Sequence, residues 1–244
     1  MTVARYKLQL SLIIPAYNEE KKIEADIRRA KRYFKKARIK SEIIVSTDGI
    51  TDRTNIIVKH LQKKYKNLKL IAQKNKIGKG AAIKAGVFVA GGKYVMFADA
   101  GYCVPFKYIR SGIALLEKGN DCAFGSRALA KSKIIKKQPL YRIIGSRVFG
   151  IIVRNVIKIP KTIEDTQCGF KLYKKNVAKK LFKELKTKQM MFDIELILRT
   201  LKHKYKIGIF PVVWKSDLDT KFNPVSGSWE NIKDLLKIKL VYRL

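Results

Sequence analysis

The chain is short of acid: 19 aspartates and glutamates face 54 lysines and arginines across 244 residues, a formal charge of +35. It has three cysteines, Cys103, Cys122 and Cys168, and two histidines. The cysteines lack paired spacing, so nothing suggests a disulfide framework, and with so few histidines a structural zinc site is not expected. Met1 to Gln9 contain no apolar core of the kind a secretory leader needs. No run reaches the ~20 apolar residues that cross a bilayer. The nearest, Ile143 to Ile157, is interrupted by Arg147 and Arg154. These absences point to a soluble or peripheral protein, placed in the cytoplasm or on the cytoplasmic face of a membrane.

What is present is enough to build a core. Hydrophobic residues make up 47% and aromatics 10%, the composition of a globular chain that buries a sizeable interior. The positive field attracts anions: nucleic acid, an acidic membrane surface or phosphorylated substrates. Lysine alternates with isoleucine throughout, so part of the charge reads as general composition.

Apolar runs and amphipathic stretches alternate along the first half. Leu8 to Ile14 reads as a buried strand, followed by a helix with Ile23, Ile27, Ala30, Phe34 and Ala37 on one face. A strand at Ile43 to Val45 runs into Thr47-Asp48-Gly49. A helix over Asp52 to Tyr65, a strand from Leu68 to Ala72, and a helix opened by Gly78-Lys79-Gly80 come next. Lys93 to Ala98 forms a further strand and delivers Asp99. After another helix, Asp121 to Gly125 ends in Ser126-Arg127. Asp165 to Phe170 reads as a loop and short strand, Phe192 to His203 as a helix, Ile207 to Trp214 as a strand and Trp229 to Val241 as an amphipathic helix. Strand and helix in strict alternation predict an α/β fold with a mostly parallel central sheet and helices on both faces. No repeat or linker divides residues 1–244, so one domain is expected.

In such a sheet ligands bind beyond the carboxyl ends of the strands. There the sequence sets Tyr17-Asn18-Glu19, Asp48, Asp99 and Arg127. Acids that hold a base, a ribose or a metal, beside cations that meet phosphate oxygens, suit a nucleotide diphosphate. Each acid taken alone reads equally well as a helix or turn cap.

The segments SLIIPAYNEEKKI (11–23), TDGITDRT (47–54), NKIGKGAAIKAG (75–86), FADAG (97–101), GSRA (125–128), DTQCGFKLY (165–173), FDIELI (192–197) and VVW (212–214) stand in the order of a known family. On them the chain resembles the family-2 glycosyltransferases of the GT-A (Rossmann-like) fold, in particular the dolichyl-phosphate β-glucosyltransferases, with dolichyl-phosphate mannose synthases as more distant relatives. The resemblance implies a single domain with a nucleotide-sugar half (8–128) and an acceptor half with membrane-proximal elements (129–244). It implies inverting transfer of a sugar from UDP-glucose, or alternatively GDP-mannose, to a polyprenyl phosphate of the dolichyl type. By the same resemblance Pro15, Tyr17, Glu19, Asp48, Lys79 and Asp99 bind the nucleotide sugar. Asp99 faces Mg²⁺ or Mn²⁺. Asp99, Arg127 and Asp193 are the catalytic set, Asp193 being a base for a hydroxyl acceptor or an orienting group for a phosphate. Asp165, Gln167, Glu195 and Trp214 line the acceptor side. Two positions depart from the pattern: Thr47 stands for the first acid of the base-side turn, and Gly101 for the second acid of the metal motif.

The implied acceptor brings in a membrane surface. The basic face of the first helix (Arg28, Arg29, Lys31, Arg32, Lys35, Lys36) reads as an ordinary solvated face. Residues 138–157, with Arg142, Arg147 and Arg154 and preceded by Lys136 and Lys137, read as a stretch close to lipid. No nucleic-acid-binding motif accompanies the charge, so no specific nucleic-acid partner is expected. A sugar-nucleotide-binding relative without catalysis remains the other reading, since Gly101 removes a metal acid.

Overall fold

The computed structural model describes residues 7–136, 159–217 and 224–242, with positions 145, 150, 151, 153, 157 and 219. Most of the basic and apolar stretch expected near lipid, including Lys137, Arg142, Arg147 and Arg154, falls outside the described residues; of its described positions, Val153 and Ile157 are buried and Ile151 is exposed.

Strand β1 (Leu10–Ala16) is buried along its whole length and leads into helix α1 (Ile23–Ala37). Then follow β2 (Ser41–Asp48), α2 (Thr54–Lys64), β3 (Leu68–Gln73), α3 (Lys79–Val89) and β4 (Tyr94–Ala98). A turn of 3₁₀ helix enters α4 (Ile109–Glu117), and β5 (Cys122–Ser126) and β6 (Lys133–Lys136) come next. The second half supplies β7 (Phe170–Lys174), α5 (Lys175–Glu184), α6 (Phe192–Lys202), β8 (Ile207–Pro211), β9 (Val213–Lys215) and α7 (Pro224–Tyr242).

Seven strands form one sheet in the order β3-β2-β1-β4-β7-β5-β8, and β6 and β9 form a separate parallel ribbon. All the sheet pairings are parallel except those of β7, which runs against both β4 and β5. The two-residue period of a strand divides the core into two layers. Leu10, Leu12, Ile14, Ile43, Val45 and Met96 pack with Ile27 and Phe34 of α1, Val58 of α2 and Ile113 of α4. Ile13, Ile44, Val95, Phe97, Phe124 and Tyr173 pack on the other face with Ile83 of α3, Leu181 of α5, Phe192 and Ile197 of α6 and Leu235 of α7. Helices therefore cover both faces, as the alternating pattern predicts.

Three sequence expectations shift. The apolar run 207–214 is two strands: β8 pairs with β5, Val212 turns inward, and β9 leaves to pair with β6. Helix α5 was not read from the sequence, although Val177, Ala178, Leu181 and Phe182 bury one side of it. Helix α7 begins at Pro224 instead of Trp229, with proline in the first turn where its missing N–H costs nothing.

The amino end of the sheet is closed by a buried network. The Glu42 carboxylate accepts from Ser11 Oγ at 2.6 Å and Gly91 N–H at 2.6 Å, and pairs with Lys69 at 2.7 Å. The carboxyl end is where the polar residues collect.

Candidate active site

Asp99 leaves β4 at the middle of that end. Its backbone N–H donates to Gly169 O at 3.0 Å, and Lys79 Nζ lies 2.6 Å from its Oδ1. The carboxylate lies so tightly against Gly169 that any Cβ there would collide with it. Lys79 comes from the first turn of α3. Burial alone would lower its pKa, but the charges of Asp99 and Asp193 outweigh burial and raise it, so the ammonium persists. About a third of the Asp99 side chain stays open, 33%, against 21% for Lys79.

Asp48, at the end of β2, is buried, and its carboxylate accepts from the N–H groups of Ile77 (2.6 Å) and Gly78 (2.9 Å). It thereby fixes the loop that presents Lys79. Gly78 has φ +132°, and a side chain there would strike Lys188 O and Gln189, so this tight crossing requires glycine. Tyr17 follows β1 and carries Lys76 Nζ 4.2 Å above its ring. Pro15 is buried within β1. Thr47, in the place of an acid, is buried and donates to Asn55 Oδ1 at 3.0 Å.

Arg127, Asp165 and Trp214, far apart in sequence, form one unit. Arg127 Nε and Nη2 donate to the two Asp165 oxygens at 2.8 and 2.7 Å, and its backbone N–H adds a bond of 2.7 Å. The guanidinium lies 5.2 Å from the Trp214 ring centre. Burial works against charge on both partners, yet their mutual hydrogen bonds and attraction prevail, raising Arg127 and lowering Asp165. The fork leaves the rest of the guanidinium's five donors for another anion. Gln167 is half-buried on the intervening loop.

Asp193 and Glu195 lie elsewhere than a substrate-facing role requires. Asp193 accepts from Lys171 Nζ at 2.6 Å, and the two side chains are 4% and 0% exposed. Lys171 also donates to the carbonyls of Thr166 and Cys168 at 3.0 Å each, so the pair holds the 165–169 loop from below. A buried carboxylate already engaged by an ammonium is in no position to take a proton from an acceptor. Glu195 accepts from Thr187 N–H (2.7 Å), Thr187 Oγ1 (2.6 Å) and Arg199 Nε (2.8 Å); it latches the loop before α6. In the structure both carboxylates are buried and hold loops, which does not suit the base role expected for Asp193 or the acceptor-lining place expected for Glu195.

Lys22 and Asp217 carry no local signal in the sequence, yet the fold brings them together. Lys22 Nζ meets Glu19 at 2.7 Å and Asp217 at 2.6 Å, with Asp219 at 3.7 Å. Burial raises the Glu19 pKa, and the carboxylates of Asp217 and Asp219 add to it against the pull of Lys22. Asp217 also bears on Gly101, which has φ +88° and donates its N–H to the buried Asp26 at 2.6 Å. A Cβ at 101 would lie 3.0 Å from Asp217 Oδ2. The space a second acid of the metal motif would enter is already served by the carboxylate of Asp217. Nearby Cys103 is pushed up to about 12, first by burial and then by the charges of Asp99 and Asp217, and stays a thiol at neutral pH. Among the described residues no three His, Cys, Asp or Glu side chains are grouped to hold a metal ion. The carboxylates of Asp99 and Asp217 both act on Cys103 from close by. Carboxylates so placed fit Mg²⁺ or Mn²⁺ of the kind bound by one or two carboxylates plus substrate phosphates.

Residues 11–182 match the family model described as glycosyl transferase family 2. A dolichyl-phosphate β-glucosyltransferase of Trichomonas vaginalis is 34% identical over 98% of this chain and 75% of its own length. The one from Homo sapiens is 32% identical, over 96% and 76%. Among solved structures, glucosyl-3-phosphoglycerate synthase from Mycobacterium tuberculosis with Mn²⁺ and UDP-glucose superposes with a TM-score of 0.70. It is 16% identical and covers 95% of this chain and 79% of that one. Staphylococcus aureus TarS with UDP-GlcNAc gives 0.61 at 18% identity, over 96% and 67%.

Proposed function

The chain belongs to glycosyl transferase family 2 and is a glycosyltransferase, and we propose that it transfers glucose, with inversion, from UDP-glucose to a polyprenyl phosphate of the dolichyl type. The observation that carries this reading is the presence at the carboxyl end of the sheet of two partly open cation–carboxylate units, Lys79–Asp99 and Arg127–Asp165. Residues 8–128 supply the donor half and 129–244 the acceptor half.

An acceptor phosphate has its second pKa at about 6 and is largely ionised at neutral pH. It needs positioning and charge control, not a strong base, which suits a site whose Asp193 is buried under Lys171. One acceptor oxygen forms the new bond to the anomeric carbon as the bond to the diphosphate breaks on the opposite face. The electron pair leaves with UDP. Lys79, Lys22 and the free edge of Arg127 are the cations available to meet the charge on the departing diphosphate and the acceptor. Asp99 and Asp217 are the residues that would hold Mg²⁺ or Mn²⁺, and a bound ion would supply further neutralisation of the leaving group. Tyr17, with Lys76 above it, is the surface offered to the nucleoside, and Asp48 acts there by fixing the loop. Trp214 and Gln167 flank the acceptor. The reading sets the chain at the cytoplasmic face of a membrane. No helix among the described residues is long and apolar enough to cross one.

The test is incubation of purified protein and polyprenyl phosphate with labelled UDP-glucose, and separately GDP-mannose, with Mg²⁺, Mn²⁺ or chelator. Lipid-linked glucose from UDP-glucose is the expected product. Label from GDP-mannose alone would reassign the sugar. No lipid product under any condition, with UDP-glucose binding intact by calorimetry, would leave a binding relative without catalysis.

A further inference from the structure

Over residues 231–240, helix α7 buries one side and exposes the other. Asn231, Asp234, Leu235 and Ile238 face inward, Leu235 and Ile238 joining the core layer beneath α6. Arg199 of α6 lies 5.7 Å from the Tyr242 ring and secures the far end. At ~100° per residue, Ile232, Leu236 and Leu240 line the opposite side in a single row. Their exposures are 43%, 55% and 78%. Lys239 borders the row on one side and Lys233 and Lys237 on the other, all exposed.

Isolated exposed apolar residues are ordinary, but three in register on a rigid helix between lysines are not. The pattern is that of a helix lying in the plane of a bilayer surface, apolar row in the acyl boundary and ammonium groups at the headgroups. We propose that α7 is the surface by which this protein docks onto an anionic lipid bilayer, with Ile232, Leu236 and Leu240 inserted. The lysine borders and the +35 charge favour anionic lipid over a second copy of the same cationic chain as the occupant of this face. This deepens the reading of a lipid-borne acceptor and rests on it for its purpose.

The test is sedimentation of the full chain with phosphatidylcholine vesicles, with and without phosphatidylserine, in the absence of donor and acceptor. Wild type sediments with the phosphatidylserine vesicles. Replacing Ile232, Leu236 and Leu240 together by serine weakens that binding by ~100-fold or more. Lys237→Gln with Lys239→Gln costs ~5-fold per lysine, and only with phosphatidylserine present. Transfer to a short, water-soluble polyprenyl phosphate stays at the wild-type rate in every variant. If circular dichroism shows the triple variant unfolded, Leu240→Ser alone, at the most exposed position, should still weaken vesicle binding several-fold. Wild-type protein that ignores phosphatidylserine vesicles overturns the proposal, as does undiminished binding by the serine variants. A wild-type dimer that the serine variant converts to monomer, with lipid binding unchanged, assigns the row to a second copy instead. Normal vesicle binding without any sugar transfer would count against the proposed reaction and leave this surface standing.

Discussion

Two lysine–aspartate pairs of equal length, 2.6 Å, lie close enough to feel one another's charge. Lys171–Asp193 is sealed, and every donor of its ammonium is spent on Asp193 and two carbonyls. Lys79–Asp99 is partly open to solvent. The same chemistry therefore does two jobs. Inside, charge is neutralised to hold a loop in shape; at the rim, charge stays open to solvent, where the proposed reaction would use it. Residue type and distance do not separate the two roles, whereas burial and the number of unspent bonds do.

The largest effect that would break this contrast is at the sealed pair. Lys171→Met leaves Asp193 buried without a partner and should cost ~3–5 kcal/mol of stability in urea unfolding. Adding Asp193→Leu should recover most of it. Retained stability in the single variant would mean the pair does not hold the loop. Asp99→Asn at the open pair should do the reverse: stability within about 1 kcal/mol of wild type, but kcat for lipid-linked sugar down by ~100-fold or more. Loss of fold there would erase the distinction. Arg127→Lys keeps the charge and loses the fork to Asp165, so a fall in transfer worth ~1.5–3 kcal/mol is expected, read as kcat/KM. Gly101→Asp looks from sequence like repair of a missing acid. The positive φ and the nearby Asp217 instead predict a loss of ~1–2 kcal/mol in melting experiments, relieved in part by Asp217→Ser.

The smallest effect is in acid. Burial raises Asp165, but hydrogen bonds and charge from Arg127 outweigh it and leave the folded pKa below the ordinary ~3.9. A lowered folded pKa means this contribution is present above pH ~3.9 and is lost as pH falls through the folded value. Wild type should therefore lose stability faster below pH ~4 than Asp165→Asn does.

How legible this was in the sequence depends on the range of the interactions. The alternation of strands and helices up to Arg127 follows from local periodicity and carried over almost unchanged. Strand β7 was seen only as a short strand after a loop, because nothing in Phe170 to Lys174 says which neighbours it joins or in which direction it runs. Its one signal was Lys171, a charge at an inward position of an apolar strand, which demanded a buried acid. Asp193 and Glu195 were recognisable as important acids, yet their depth depends on the packing of α6 and is not written in spacing. Asp217 had no local signal: its meaning comes from Lys22 and Gly101, which reach it only in the folded chain.

The reversed strand β7 also has a consequence for the order in which the protein is made. Strand β5, which leads into Arg127, pairs among the described residues with β7 and β8. A ribosome that has released residues 8–128 has released the proposed donor segments but neither β7 nor β8. Until Phe170 to Lys174 arrive and slot between β4 and β5, Arg127 hangs from an unpaired ribbon, and contacts this distant in sequence close slowly. The proposed donor segment is thus not a foldable unit by itself. An excised 8–128 fragment should expose β5 as a sticky edge and aggregate, whatever the state of its first four strands.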